Sequence, residues 1–147
     1  MRLAAAIILT TLTWTACSVA GPTASPPIES GKPFSLRVGD TVQSASDGLR
    51  IGFDGVSADS RCPKGEQCVW AGDAILRVWL QQGSGPRLTR DLHAAPRAGQ
   101  AAVALGHELR LVRLDPYPIS GKVIAARDYV ATLTLTPARS AAADPDR

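Results

Sequence analysis

Three cysteines and two histidines are the residues of this 147-residue chain whose types could support covalent or metal chemistry. Cys62 and Cys68 enclose five residues, and a proline and a glycine among them let so short a segment turn back on itself. A disulfide here would fix the shape of the loop and add roughly 2 kcal/mol through the chain entropy of the unfolded state. We therefore predict a structural disulfide between Cys62 and Cys68.

Two other uses of these cysteines remain open. A redox-active pair usually has the closer C-x-x-C spacing beside a helix, which is absent here. A metal site would need further ligands, and His93 and His107 are the histidines that the chain offers. We predict no metal and no other cofactor, and we keep metal handling through the histidines and the thiols as an alternative function.

No pattern in the chain predicts catalysis or nucleic-acid binding. There is no G-x-S-x-G motif, and neither His93 nor His107 has a recognisable nucleophile context. Residues 83–85 are glycine-rich but lack the lysine and hydroxyl residue of a phosphate-binding loop. The net charge is only +3, and no run of basic residues alternates with aromatic ones. We expect neither an enzyme nor a nucleic-acid-binding protein.

The first seventeen residues have the order of a bacterial export signal that ends at a cysteine. Arg2 precedes an uncharged apolar run, and small residues follow that run up to Cys17. The apolar run is shorter than the ~20 residues that a membrane-spanning helix needs. Residues 14–17 resemble the lipobox of bacterial lipoproteins, in which the cysteine is acylated. The alternative is ordinary signal-peptidase cleavage before Gly21, which would give a soluble secreted or periplasmic protein.

This signal leads to a prediction of domains and location. We expect a signal peptide over residues 1–16, a lipidated Cys17 with a flexible tether over 17–33, a β domain over 34–138 and a mobile tail over 139–147. Lipidating or removing Cys17 leaves a matched pair of cysteines for an oxidising compartment. We expect the protein in the bacterial cell envelope, attached to a membrane by its N-terminal lipid at the outer membrane or the periplasmic face.

Apolar and polar residues alternate with a period of two through most of the remaining chain, which is typical of half-buried strands. Residues 54–55, Asp-Gly, are expected to interrupt the third strand. An all-β fold of about seven to nine short strands follows, as a small β-sandwich or a barrel-like domain. The expected strands are 34–38, 41–43, 49–53, 73–81, 87–93, 101–105, 108–114 and 129–136.

Residues 59–74, DSRCPKGEQCVWAGDA, resemble a D-S-R-C-P-x4-C-x-W-A-G-x-A motif of small uncharacterised bacterial lipoproteins. Residues 114–118 and 128–133 resemble the second half of that family, so the resemblance covers roughly residues 34–136. It implies an envelope location, a paired cysteine loop and a β-rich domain. It implies no established activity.

Asp59, Arg61, Trp70 and Asp73 form the candidate binding loop. We expect Trp70 to pack over the disulfide, because aromatic side chains usually bury their large area, and Asp59 to pair with Arg61 or cap backbone groups. The other interpretation is a presented loop with an aromatic anchor beside charges. The leading hypothesis is a non-enzymatic envelope protein that binds or supports another envelope protein or component. The alternative is a secreted protease-inhibitor-like or small-ligand-binding module.

Overall fold

Two antiparallel four-stranded sheets pack face to face in the computed structural model, which describes residues 25–96 and 99–139. The all-β prediction is thereby confirmed as a β-sandwich. The predicted signal peptide, Cys17, residues 18–24 of the predicted tether and residues 140–147 of the predicted tail lie outside the described residues. The elements are β1 (Pro33–Arg37), β2 (Thr41–Gln43), β3 (Arg50–Asp59), β4 (Ala74–Gln81), β5 (Leu88–His93), β6 (Ala101–Ala104), β7 (His107–Asp115), a 3-10 turn (Ala126–Asp128) and β8 (Val130–Pro137).

One sheet pairs the first strand with the last, whereas the other contains only strands that are consecutive in the chain. One sheet has the order β1-β8-β7-β6 and the other β2-β3-β4-β5. Alternate residues of every long strand point between the sheets, so the period-two pattern becomes a single apolar core. Each large aliphatic or aromatic side chain buried there contributes about 1.5–3 kcal/mol. Its largest fully buried side chains are Phe53, Leu36, Leu49, Ile51, Leu76, Leu80, Leu92, Leu109, Leu133, Leu135 and Val78.

The third strand is longer than predicted. β3 does not stop at Asp54 and Gly55 but continues to Asp59, and its register against β4 shifts between Phe53 and Gly55 and again between Val56 and Ala58. Such bulges absorb an extra residue and bend the strand without ending it. The prediction of an interruption is therefore wrong, and the extension places Asp59 at the end of the strand.

Trp79 is buried although it points away from the core. It is 5% exposed and pairs across the strands with Gly52. A β-carbon at Gly52 would lie 2.2 Å from Cε2 of the Trp79 indole. The guanidinium carbon of Arg87 lies 4.0 Å from the centre of the same indole ring. The indole therefore lies against bare backbone on the outer face of the sheet and is covered by a cation, an arrangement in which the ring quadrupole attracts the charge.

Because of this contact, we expect any side chain at position 52 to lower the stability of the fold. In Gly52→Ala the indole must move off the backbone, and we expect the free energy of unfolding to fall by about 1–3 kcal/mol, as overpacking usually costs. Urea unfolding measures the loss. The same substitution in a Trp79→Val background should cost much less, and equal losses in the two backgrounds would contradict the proposed clash.

The two ends of the sandwich differ in what they carry. At one end, which we call proximal, Ile28 bridges Ser44, close to the first residue of β3. Asp59 is the last residue of β3 and marks the opposite, distal end, where residues 60–73 connect β3 to β4 and residues 116–129 connect β7 to β8. The described chain thus begins at one end and presents the candidate loop at the other.

Candidate functional site

The cysteine loop is a closed ring that lies against the neighbouring β7–β8 connection. The sulfur atoms of Cys62 and Cys68 are 2.12 Å apart, so the predicted disulfide is present. Lys64 forms a β-bridge with Ile119, and the backbone N–H of Lys64 donates to the carbonyl of Pro118 at 2.9 Å. The side chain of Ser120 also donates to Glu66. The ring is therefore fixed both covalently and by a neighbour distant in sequence.

A buried ion pair fastens the start of this loop. Arg61 is 8% exposed, and its Nε and Nη2 donate to the two carboxylate oxygens of Asp59 at 2.9 and 2.6 Å. Nη1 donates to the carbonyl of Leu114 and Nη2 to that of Pro116, both at 2.9 Å. The hydroxyl of Tyr129 donates to Asp59 Oδ2 at 3.0 Å. The expected pairing of Asp59 with Arg61 is confirmed.

The hydrogen bonds explain the protonation state of Asp59. Burial acts to raise the pKa of this carboxyl, but hydrogen bonds from the side chain and backbone of Arg61 and from Tyr129, together with the charge of Arg61, outweigh burial and lower the pKa below its ordinary value of 3.8. The carboxylate stays ionised, and its oxygens accept hydrogen bonds from Arg61 and Tyr129. It therefore holds two loops together and is not available as an acid or base.

Acidification is expected to destabilise the distal end. Because the pKa of Asp59 is lower in the folded state than in the unfolded state, its contribution to stability is complete above the unfolded pKa and is lost as pH falls through the folded value. Urea unfolding at a series of pH values below about 4 measures the decline. The Asp59→Asn variant lacks this contribution and should decline less steeply; identical slopes would contradict the assignment.

Gly72 allows the two arms of the loop to lie side by side. The backbone of Ser60 donates to Asp73 at 2.7 Å, and that of Cys62 donates to Ala71 at 2.9 Å. Gly72 has a φ of +71°, and a β-carbon there would lie 1.8 Å from the carbonyl oxygen of Ser60. Position 72 therefore requires a glycine, because only a residue without a side chain fits against the facing backbone.

Trp70 lies outside this packing, contrary to expectation. It is 82% exposed, and Val69 beside it is 90% exposed. The interior of the distal end is filled instead by the guanidinium of Arg61, which lies over the ring of Tyr117 at 5.2 Å, and by the hydrogen-bond partners of that guanidinium. The prediction that Trp70 packs over the disulfide is wrong, and the indole is displayed on a braced loop.

Asp73 has a separate role from the rest of the candidate loop. Its Oδ2 lies 2.6 Å from Nδ1 of His93, and its Oδ1 accepts the N–H groups of Ala74 and Ala95, both at 2.8 Å. Burial acts to raise the pKa of Asp73, but these hydrogen bonds and the charge of His93 lower it overall. Asp73 thus fastens the β5–β6 connection, and no hydrogen bond links it to Arg61 or Trp70.

The structure does not bring together the residues of the metal alternative. His93 is at the distal end of β5, whereas His107 begins β7 at the proximal end, where its Nε2 lies 3.1 Å from Asp47. The sulfur atoms of Cys62 and Cys68 are bonded to each other and offer no thiolate. Within residues 25–96 and 99–139, no group of three or more His, Cys, Asp or Glu residues could hold a metal ion.

Several partners of the candidate loop were not predicted from the sequence. All of them come from the second half of the chain: Tyr129, Tyr117 and the carbonyls of Leu114 and Pro116. A cavity of about 450 Å³ lies elsewhere, at the proximal end, where Glu108 and Thr136 contribute to its wall. The cysteine loop does not line this cavity and instead lies exposed at the distal end of the sandwich.

Comparisons with protein-family models, curated proteins and solved structures return no match for this chain. Within the described residues, no helix has the length and apolar character needed to cross a membrane.

Proposed function

We propose that this chain is an exported, lipid-anchored protein of the bacterial envelope, with a non-enzymatic role in binding another envelope component through its cysteine loop. The observation that carries the proposal is the display of Val69 and Trp70 on a loop held by the disulfide and by the Arg61–Asp59 pair. The family resemblance of residues 59–74 supports the envelope location.

The physical case for binding rests on exposure combined with rigidity. An indole and a valine left in water lose the stabilisation that burial would give, and tryptophan is enriched among the residues that dominate binding energy. Because disulfide, backbone bridge and ion pair already order the loop, little conformational entropy remains to be lost on association. Display on such a loop favours recognition, and the carboxylates around it are occupied by structural partners.

The lipid anchor is supported by residues 1–17 and by the geometry of the domain. The described chain begins at the proximal end, so a protein held at Cys17 would display its cysteine loop at the far side of the sandwich.

Mass spectrometry of the mature protein from membranes tests the anchor. We expect a diacylglyceryl group on an N-terminal Cys17, and Cys17→Ser should move the protein out of the membrane fraction. A mature chain that begins at Gly21 would refute the anchor. That result would favour the second candidate, a secreted inhibitor-like or ligand-binding module, whose braced and projecting loop would enter the cleft of another protein or contact a small ligand.

A further inference from the structure

We infer that the component bound by the cysteine loop is a protein with an apolar pocket bordered by acidic side chains. Val69 and Trp70 would enter this pocket, and Lys64 and Lys122 would face its border. The inference rests on the proposed function and names the chemical class of its partner.

The apolar part of the surface is formed by two adjoining loops. Val69 and Trp70 come from the cysteine loop, and the β7–β8 connection adds Tyr117, Ile119 and Val123, which are 42%, 44% and 98% exposed. The bridge between Lys64 and Ile119 holds these loops side by side. Neighbouring exposed apolar side chains of this kind mark interaction sites more often than isolated ones do.

The charges of the same two loops are unbalanced once their ion pairs are counted. Lys64 and Lys122 are exposed, and no carboxylate of the described residues lies within 4.0 Å of either ammonium group. Four carboxylates of these loops and their flanks have cationic or histidine partners: Asp59 with Arg61, Asp73 with His93, Asp115 with Arg113 and Asp128 with Arg127. Glu66 accepts a hydrogen bond from Ser120 and keeps its negative charge, so two lysines face one carboxylate without an ion-pair partner. The surface therefore presents positive charge beside apolar side chains and complements an acidic border.

The chain start and the cysteine loop lie at opposite ends of the domain, and this arrangement favours a protein over a bilayer as the partner. The described chain begins at the proximal end, and the ten residues of β3 extend at most about 30 Å from that end to Asp59, as nine steps of ~3.3 Å. A domain attached through its N-terminus would direct the cysteine loop away from the membrane that holds it. A bilayer would be reached only if the tether ran back along the whole sandwich.

Site-specific photo-crosslinking in the cells that make the protein tests the inference. The full-length chain carries p-benzoylphenylalanine at position 69, and a matched control carries it at position 103. Val103 is 58% exposed on β6, near the proximal end. We expect a discrete protein adduct from position 69 and none from position 103. The captured protein, once purified, should bind the wild-type protein directly and more weakly at high salt.

Three variants test the predicted chemistry of that binding. Trp70→Ala, Lys64→Glu and Lys122→Glu should each weaken binding about tenfold or more. Arg90→Glu on β5 reverses a half-buried charge outside the two loops and should leave binding unchanged. Cooperative unfolding at wild-type denaturant concentrations shows that the variants fold. Binding that is insensitive to Trp70→Ala and to both lysine reversals would overturn the inference.

The remaining outcomes separate this inference from the proposed function. An adduct of position 69 with lipid alone would overturn the protein partner and leave binding through the cysteine loop intact. Equal adducts from positions 69 and 103, or none from either, would overturn binding through the loop itself. The mass of the N-terminal Cys17 peptide, measured in the same cells, reports on the anchor independently of all these results.

Discussion

Replacing Arg61 with methionine is expected to lower the free energy of unfolding by about 3–5 kcal/mol, the usual cost of leaving a buried charge without its partner. Methionine keeps much of the apolar length of arginine but donates no hydrogen bonds. Asp59 would retain only the Tyr129 hydroxyl among its side-chain donors, and the carbonyls of Leu114 and Pro116 would lose theirs. The cost should therefore appear as a loss of global stability and as loosening of the cysteine loop.

A second arginine–aspartate pair supplies the matched control. Arg77 and Asp91 form an ion pair whose side chains are 51% and 45% exposed, and Arg77→Met should cost no more than about 1 kcal/mol, as solvent-exposed pairs do. The double variant Asp59→Leu/Arg61→Met should recover part of the loss, because no buried carboxylate then remains unpaired. Equal effects of Arg61→Met and Arg77→Met in urea unfolding would refute a structural role for the buried pair.

Substituting Gly72 by alanine is expected to cost about 2–5 kcal/mol. A left-handed backbone costs a residue with a β-carbon roughly 1–2 kcal/mol, and forcing extra volume into packed structure costs a further 1–3 kcal/mol. The atom in the way is the carbonyl oxygen of Ser60, which belongs to the backbone and cannot rotate aside as a side chain would. Thermal and urea unfolding measure the loss.

Gly121 isolates the two contributions to this cost. Its φ is +73°, almost the same as the +71° of Gly72, but a β-carbon there would meet nothing within 4 Å. Gly121→Ala should therefore cost only the backbone strain. If the two variants lose the same stability, close approach of the loop arms is not what requires a glycine at position 72.

Local patterns were sufficient to predict the strands, and long-range contacts account for most of the errors. Alternation places Leu133 and Leu135 in the core, because a strand has only two faces. The continuation of β3 past Gly55 depends on bulged pairing with β4, about twenty residues away, and no local signal distinguishes such a bulge from a turn. Alternation also places Trp79 on the face opposite to Val78 and Leu80, yet it is buried there because Gly52 of β3 and Arg87 cover its indole.

The same distinction separates what could be predicted of the cysteine loop from what could not. The disulfide and the Asp59–Arg61 pair join residues close in sequence, so spacing was sufficient to predict both. The exposure of Trp70 depends on what fills the interior of the distal end. Arg61 fills it because its guanidinium reaches carbonyls more than fifty residues further along the chain. The residues next to Trp70 in the sequence do not indicate that Arg61, and not the indole, fills this interior.

The two tryptophans of the described residues are placed so differently that they would report on different events in a fluorescence measurement. Trp70 is 82% exposed on the cysteine loop, and Trp79 is 5% exposed beneath Arg87 on the opposite surface of β4 from the core. A collisional quencher in water would reach the first indole and not the second. Emission that survives the quencher would therefore follow unfolding of the sheet, while the quenched fraction would follow occupation of the loop in the same sample.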